Sequence, residues 1–170
     1  MPLIAALITG SLGIVGGLLL GRRQEKQAQV DRRAEQVRQY NEKAVQVLSK
    51  VLIVIQSVRP DGLIVETHQG QSAERLHKAQ AEFGDQRHTR MEVAVGHTDK
   101  KVRDALSKVL GEHSWAVFSS GAMFVYSFSS QRADLMQRVP ELRKEANDAW
   151  ETFKANIDEA ISLLHAAANS

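Results

Sequence analysis

Residues 30–58 read VDRRAEQVRQYNEKAVQVLSKVLIVIQSV, and this stretch decides the fold class. Val30, Ala34, Val37, Asn41, Ala44, Leu48, Val51, Ile55 and Val58 follow one another at alternating steps of four and three. Such spacing lines up one face of an α-helix, whereas a half-buried strand alternates at every second residue. The seam runs for about four heptads, the pattern of a helix packed along its length on other helices. Asn41 is the polar member. A lone asparagine in a seam fixes register or oligomer state at a cost in stability. The other reading of Asn41 is a wet seam near a membrane, and the residues do not separate the two. Beyond Ala44 the apolar face widens to Val45, Val47, Leu52 and Val54. That width suits a helix with two or three neighbours better than a two-stranded coil. The helix is expected to end near Arg59-Pro60-Asp61-Gly62. Val51–Ile55, a Pro-Asp-Gly turn and Leu63-Ile64-Val65 also fit a β-hairpin. The heptad persists through this region, so helix is favoured.

Toward the amino terminus, Pro2 to Gly21 carries no charge, and Arg22-Arg23 follow at once. Twenty helical residues span roughly 30 Å, the thickness of a bilayer's hydrocarbon core. A cleaved signal peptide has a basic start and a small-residue cleavage site. Here nothing basic precedes the apolar run, and Arg22-Arg23-Gln24-Glu25-Lys26 stands where cleavage would fall. An uncleaved transmembrane anchor over residues 1–21 is therefore expected, continuing into the seam helix. Basic residues on its carboxyl side place residues 22–170 in the cytoplasm and the amino terminus outside. Arg22, Arg23 and Lys26 can also rest against anionic headgroups. The chain has no cysteine, which agrees with a reducing compartment. Ala6 and Gly10, Gly13 and Gly17, and Gly17 and Gly21 are four apart, a spacing that lets membrane helices approach closely. Gly13, Gly17 and Gly21 are the expected contacts of anchor self-association.

Toward the carboxyl terminus, the 43% hydrophobic and 5% aromatic content and three prolines suit a helical bundle. Residues 22–170 are enough for one domain with its own core. Ser72 is the expected cap of a second helix carrying Leu76, Ala79, Phe83, Met91 and Val95, weakened at Gly84. Gly96-His97-Thr98 reads as a stop and a new cap. A third helix carries Val102, Ala105, Leu106, Val109, Trp115, Phe118, Ala122, Val125 and Phe128. A fourth opens with Pro140 in its first turn and carries Leu142, Ala146, Trp150, Phe153, Ile157, Ile161 and Leu164. Ser114 to Gln131 is uncharged but holds six serines, so a buried central helix is expected ahead of a membrane-inserting one.

Chemistry-bearing motifs are few. Glu74 and His77 have the spacing of di-metal bundles, which require two such pairs, and no second pair exists. His88 and Glu92 share a helix face at the surface. No Walker loop, dinucleotide fingerprint or zinc-protease motif occurs, and without cysteine there is no thiol nucleophile. The serines of 119–120 and 127–130 read as small residues easing helix contact. A net charge of +2, with bases dispersed among acids, does not suggest a nucleic-acid partner. No cofactor or metal is expected.

Leu12 to Arg23, Asp31-Arg32-Arg33-Ala34 with Tyr40, and Arg90 to His97 followed by Asp99-Lys100-Lys101-Val102-Arg103 together carry a resemblance. The chain resembles small bacterial single-pass membrane proteins with a glycine-rich amino-terminal anchor and a cytosolic helical bundle. The resemblance implies a fold and no activity.

The expected fold is thus all-α: an amino-terminal transmembrane helix continuing into a long helix of a cytosolic antiparallel bundle of about four helices. The expected function is non-enzymatic: a membrane-anchored interaction or scaffolding module. Its partners would be the lipid bilayer, a second copy met through the anchor, and a further protein. The alternative is a membrane-perturbing effector of holin-like or abortive-infection type. An enzyme would need a cleft with perturbed titratable groups.

Overall fold

The computed structural model describes the backbone of residues 2–59, 69–129 and 133–168, and the side chains of residues 24–59, 71–127 and 133–168. It is all-α, with no strand among the described residues. Helix α1 is Pro2–Gln56, α2 Gln69–Asp85, α3 Arg87–Gly96 and α4 Lys100–Ser107. A π-helical turn, Lys108–His113, joins α4 to α5, Ser114–Ser129. The short α6, Ala133–Gln137, precedes α7, Val139–Ala168. The chain divides into two units, Met1–Gln39 and Tyr40–Ser170.

In the first unit, the side chains of residues 24–36 are exposed and Val37 is half-buried. Hydrogen bonds from Gln27 to Asp31 at 3.1 Å and from Gln39 to Glu35 at 2.9 Å link neighbours one turn apart. Gly13, Gly17, Gly21, Arg22 and Arg23 lie in the backbone of α1, but their side chains fall outside the described residues. Among the described residues, no helix is long and apolar enough to cross a membrane.

The second unit holds the core. The seam residues Ala44, Leu48, Val51, Ile55 and Val58 are all buried within the chain. They join Leu76, Phe83, Phe118, Phe153, Ile157 and Leu164 in one cluster. Each such large side chain contributes about 1.5–3 kcal/mol by leaving water. Helix α5 packs most extensively against α7 and next against α2. It buries one face, with Val117, Phe118, Phe124 and Val125 inward, and exposes Trp115, Met123 and Tyr126 on the other, so the expected buried central helix is only half buried. The buried residues of α7 recur at steps of three and four from Leu142 to Leu164, and Pro140 sits in its first turn. Helix, not hairpin, holds through Gln56, and Ser57–Val58 turn the chain. The second arm of the alternative hairpin, Leu63-Ile64-Val65, lies outside the described residues.

Several local expectations are corrected. Helix α2 begins at Gln69, so Ser72 lies inside it rather than capping it. The second helix is two helices, broken at Gln86, and Met91 and Val95 face outward at 55% and 65% exposure. Arg90, Val93 and Ala94 are inward instead. Steps of three and four from Phe83 lead to Arg90 and then Val93, so the inward position belongs to a charged residue. Trp115 is likewise half exposed, and the buried positions that follow the π-helical turn are Ser114, Val117 and Phe118. The cap of α4 is Asp99, whose carboxylate accepts the Lys101 amide at 2.7 Å, one residue beyond Thr98.

Polar contacts dock α1 within the second unit. The Tyr40 hydroxyl donates to the Val93 carbonyl. Asn41 Nδ2 donates to the Leu164 carbonyl at 3.2 Å, so the seam asparagine is used within the chain to hold α1 against α7. Lys43 pairs with Glu92 at 2.6 Å, and this contact holds the Glu92 carboxyl below the usual range. The Tyr40 ring also lies 5.2 Å from that of His97, which leaves α3 in an extended conformation. His97 Nδ1 accepts the Asp99 amide at 3.0 Å, and the Arg103 guanidinium donates to the His97 carbonyl at 2.7 Å.

A Cβ added at Gly96 would stand 2.9 Å from Tyr40 Cε2. Gly96→Ala must therefore displace a ring held by its hydrogen bond, at a cost of about 1–3 kcal/mol. The urea midpoint should fall, and Tyr40→Phe should recover part of the loss by freeing the ring. Burial chiefly pushes the Tyr40 hydroxyl up to about 12 from 10.0, with the Glu92 charge adding and a His97 backbone contact opposing. A raised folded value favours the neutral phenol in the fold. This stability is complete below pH 10 and is lost as pH rises through about 12. Urea titrations across that window should show a steeper decline for the native chain than for Tyr40→Phe.

Candidate functional site

The end of α2, the length of α3 and the π-helical turn enclose a groove of about 510 Å³, within the size range of small-molecule sites. Its apolar lining includes Met91, Ala94, Val95, Leu110 and Trp115, and Arg87 and Arg90 bring charge to it. Met91, Val95 and Trp115 are among the large apolar side chains that the fold leaves most exposed, and all three converge here.

Arg90 organises this region. It is 6% exposed, yet no carboxylate pairs with it among the described residues. Its Nη1 donates to the Leu110 carbonyl in the π-helical turn, and Nη2 donates to the Phe83 carbonyl at 3.0 Å. Phe83 lies in the last turn of α2, where carbonyls lack amide partners and the helix dipole favours a cation. The guanidinium also stacks 3.3 Å from the centre of the Phe83 ring. One side chain thereby ties together α2, α3 and the π-helical turn. Its Nε is buried without a partner. Burial first, and the nearby Arg87 charge second, pull its value down to about 10, so it remains a cation at neutral pH. Arg87 itself is exposed and makes no ion pair among the described residues.

Two glycines line the groove, Gly84 in α2 and Gly111 in the π-helical turn. A Cβ at either would meet nothing within 4 Å. Glycine inside a helix costs about 1 kcal/mol relative to alanine. Packing does not require that cost at either position.

The other sequence candidates are dispersed. Glu74, His77, His88 and Glu92 are exposed, and no group able to hold a metal ion occurs among the described residues. Ser120 and Ser127 hydroxyls donate to carbonyls of their own helix, Ala116 and Phe124, at 2.8 and 2.7 Å. Lys26 is exposed in the first unit. A second, smaller groove of about 220 Å³ lies beside Trp150, where Arg59 approaches the indole face. Its rim mixes Arg59 and Lys154 with Glu151 and Asp158 and so favours neither sign of ligand charge. Comparison with family models, curated proteins and solved structures finds no match.

The clamp makes a specific demand on its residue. Lysine carries the charge but cannot span two carbonyls with a planar fork. Arg90→Lys should lower unfolding stability by about 1–3 kcal/mol through carbonyls left without donors, read as a lower urea midpoint. Arg90→Gln should lose a similar amount while restoring no charge, so equal losses identify geometry rather than charge as the stabilising feature.

Proposed function

We propose that the chain is a membrane-tethered, non-enzymatic interaction module, anchored by residues 1–21 and presenting residues 22–170 to the cytoplasm. The uncharged run from Pro2 to Gly21, closed by Arg22-Arg23, carries this reading. It matches a bilayer in length, and its flanking charge follows the positive-inside rule. The start of α1 at Pro2 supports helix across the run. The resemblance to small single-pass bacterial proteins points the same way. Arg22, Arg23 and Lys26 would meet lipid headgroups.

The module's assembly would use two stretches. Gly13, Gly17 and Gly21 would bring anchors together by close backbone approach. Farther along, Val30 and Ala34 stand exposed on the seam, while Asn41 and the seam residues after it are occupied within the chain. This leaves the seam up to Val37 for a second copy. Tethering concentrates copies in a thin layer, so weak lateral contacts gain weight. A further protein partner would meet the cytoplasmic bundle.

A second reading, a membrane-perturbing effector, draws on the outer face of α5. Trp115, Met123 and Tyr126 are exposed along a helix with no charged residue.

The full chain in detergent should sediment as an oligomer, and a variant lacking residues 1–23 as a monomer. Gly13→Leu with Gly17→Leu should shift the full chain toward monomer. An unchanged size in both would sink anchor-driven assembly. Dye leakage from vesicles on adding the full chain, abolished by Trp115→Ser with Tyr126→Ser, would favour the second reading.

A further inference from the structure

We infer that the groove between α3 and the π-helical turn is a binding site for an amphiphilic carboxylate: an apolar chain lying on Met91, Val95 and Trp115, with its anionic head at Arg87 and Arg90. Three independent observations converge on it. The first is shape. Gly84 and Gly111 line a groove of about 510 Å³, and a Cβ at either would meet no atom within 4 Å, so the space beside them is open. The second is apolar surface. Met91, Val95 and Trp115 are each at least half exposed and line this one groove together, whereas the unit's other exposed large apolar side chains, Ile53, Met123, Tyr126 and Met136, do not line it. The third is charge. Arg87 and Arg90 both line the groove, neither pairs with a carboxylate among the described residues, and Arg90 is 94% buried by its 6% exposure.

The ligand class follows from these three. Two nearby cations repel each other, as the effect of Arg87 on Arg90 records. A single anion between them relieves that repulsion and takes charge-assisted hydrogen bonds from Arg87. The apolar wall asks for a chain, not a small inorganic ion, because a free phosphate would leave Met91, Val95 and Trp115 in water. Methionine suits such a wall, since its unbranched thioether adapts to chains of different length. The volume suits a single chain better than a phospholipid with two.

Trp115 is a built-in reporter, and Trp150, the only other tryptophan, is buried away from this groove. The full chain, held in phosphatidylcholine nanodiscs, would be titrated with ω-bromoundecanoate, whose bromine quenches indole fluorescence on contact. Saturable quenching is expected, absent in Trp115→Phe and in the plugged variants Gly84→Leu and Gly111→Leu. Both plugged variants should keep their helical circular dichroism, since neither new side chain meets a neighbour at its Cβ. Bromoundecanol, with the same chain and no charge, should bind at least about tenfold more weakly. Arg87→Gln should weaken the acid by about tenfold or more and leave the alcohol unchanged. Quenching that is linear, or equal for acid and alcohol, or unaffected by Gly111→Leu, overturns the proposal. Nanodiscs made with brominated phospholipid and no added acid form the last arm. Quenching of Trp115 there would assign the face to the lipid surface and overturn it as well.

Discussion

A buried cation, Arg90, with no anionic partner among the described residues is the constraint around which the α2–α3–α5 region is arranged. The Arg90 guanidinium is fixed between the Phe83 carbonyl, the Leu110 carbonyl and the face of the Phe83 ring. Each partner is a dipole or a quadrupole rather than a full charge. A carbonyl in the last turn of α2 offers the negative end of a helix dipole. The π-helical turn brings a second carbonyl within reach from another element. Removing the fork would leave both carbonyls in a buried setting where an unmet hydrogen bond costs about 1–3 kcal/mol. The break at Gln86, the outward turn of Met91 and Val95 and the half exposure of Trp115 all accompany the inward placement of this one side chain.

Helix α1 is held to the rest of the unit by neutral polar contacts set into an apolar seam. Tyr40 reaches the Val93 carbonyl and Asn41 reaches the Leu164 carbonyl, so α1 is fixed in rotation against both α3 and α7. Apolar packing alone leaves a helix free to slide by a turn, because one leucine-sized contact resembles the next. A hydrogen bond from a fixed position does not tolerate that slide. The arrangement is not fully satisfied: Asn41 Oδ1 and His97 Nε2 are buried without partners. Specific register is thus held at some expense in stability, the usual trade for polar groups in a core.

How far the sequence could be read depended on which letters occupied the inward face. Where apolar residues kept the helical period, as in the seam from Ala44 to Val58 and in Leu142 to Leu164, the reading and the structure agree except at one step, where Ala160 is buried and Ile161 only partly so. Where the inward position was Arg90, following apolar letters led instead to Met91 and Val95, which face outward. The period itself, continued by three and four from Phe83, carried the correct signal. The π-helical turn had no such signal, because one added residue in a helical ladder changes no motif. The groove was therefore illegible: its lining comes from the end of α2, from α3, and from a turn whose phase shift only the packed helices reveal.

Periodicity and charge within a few turns were enough to establish that this chain is helical, which face of α1 and of α7 turns inward, and that an uncharged, membrane-length run opens it. Those properties are local, so the order of residues along one helix carries them. Packing between helices decided that most of the seam is spent within the chain, that Asn41 serves α7 rather than a second copy, and that two arginines, two glycines and Trp115 share one groove. Those outcomes depend on which carbonyls and which apolar faces meet across distant segments, and no spacing within one helix specifies that.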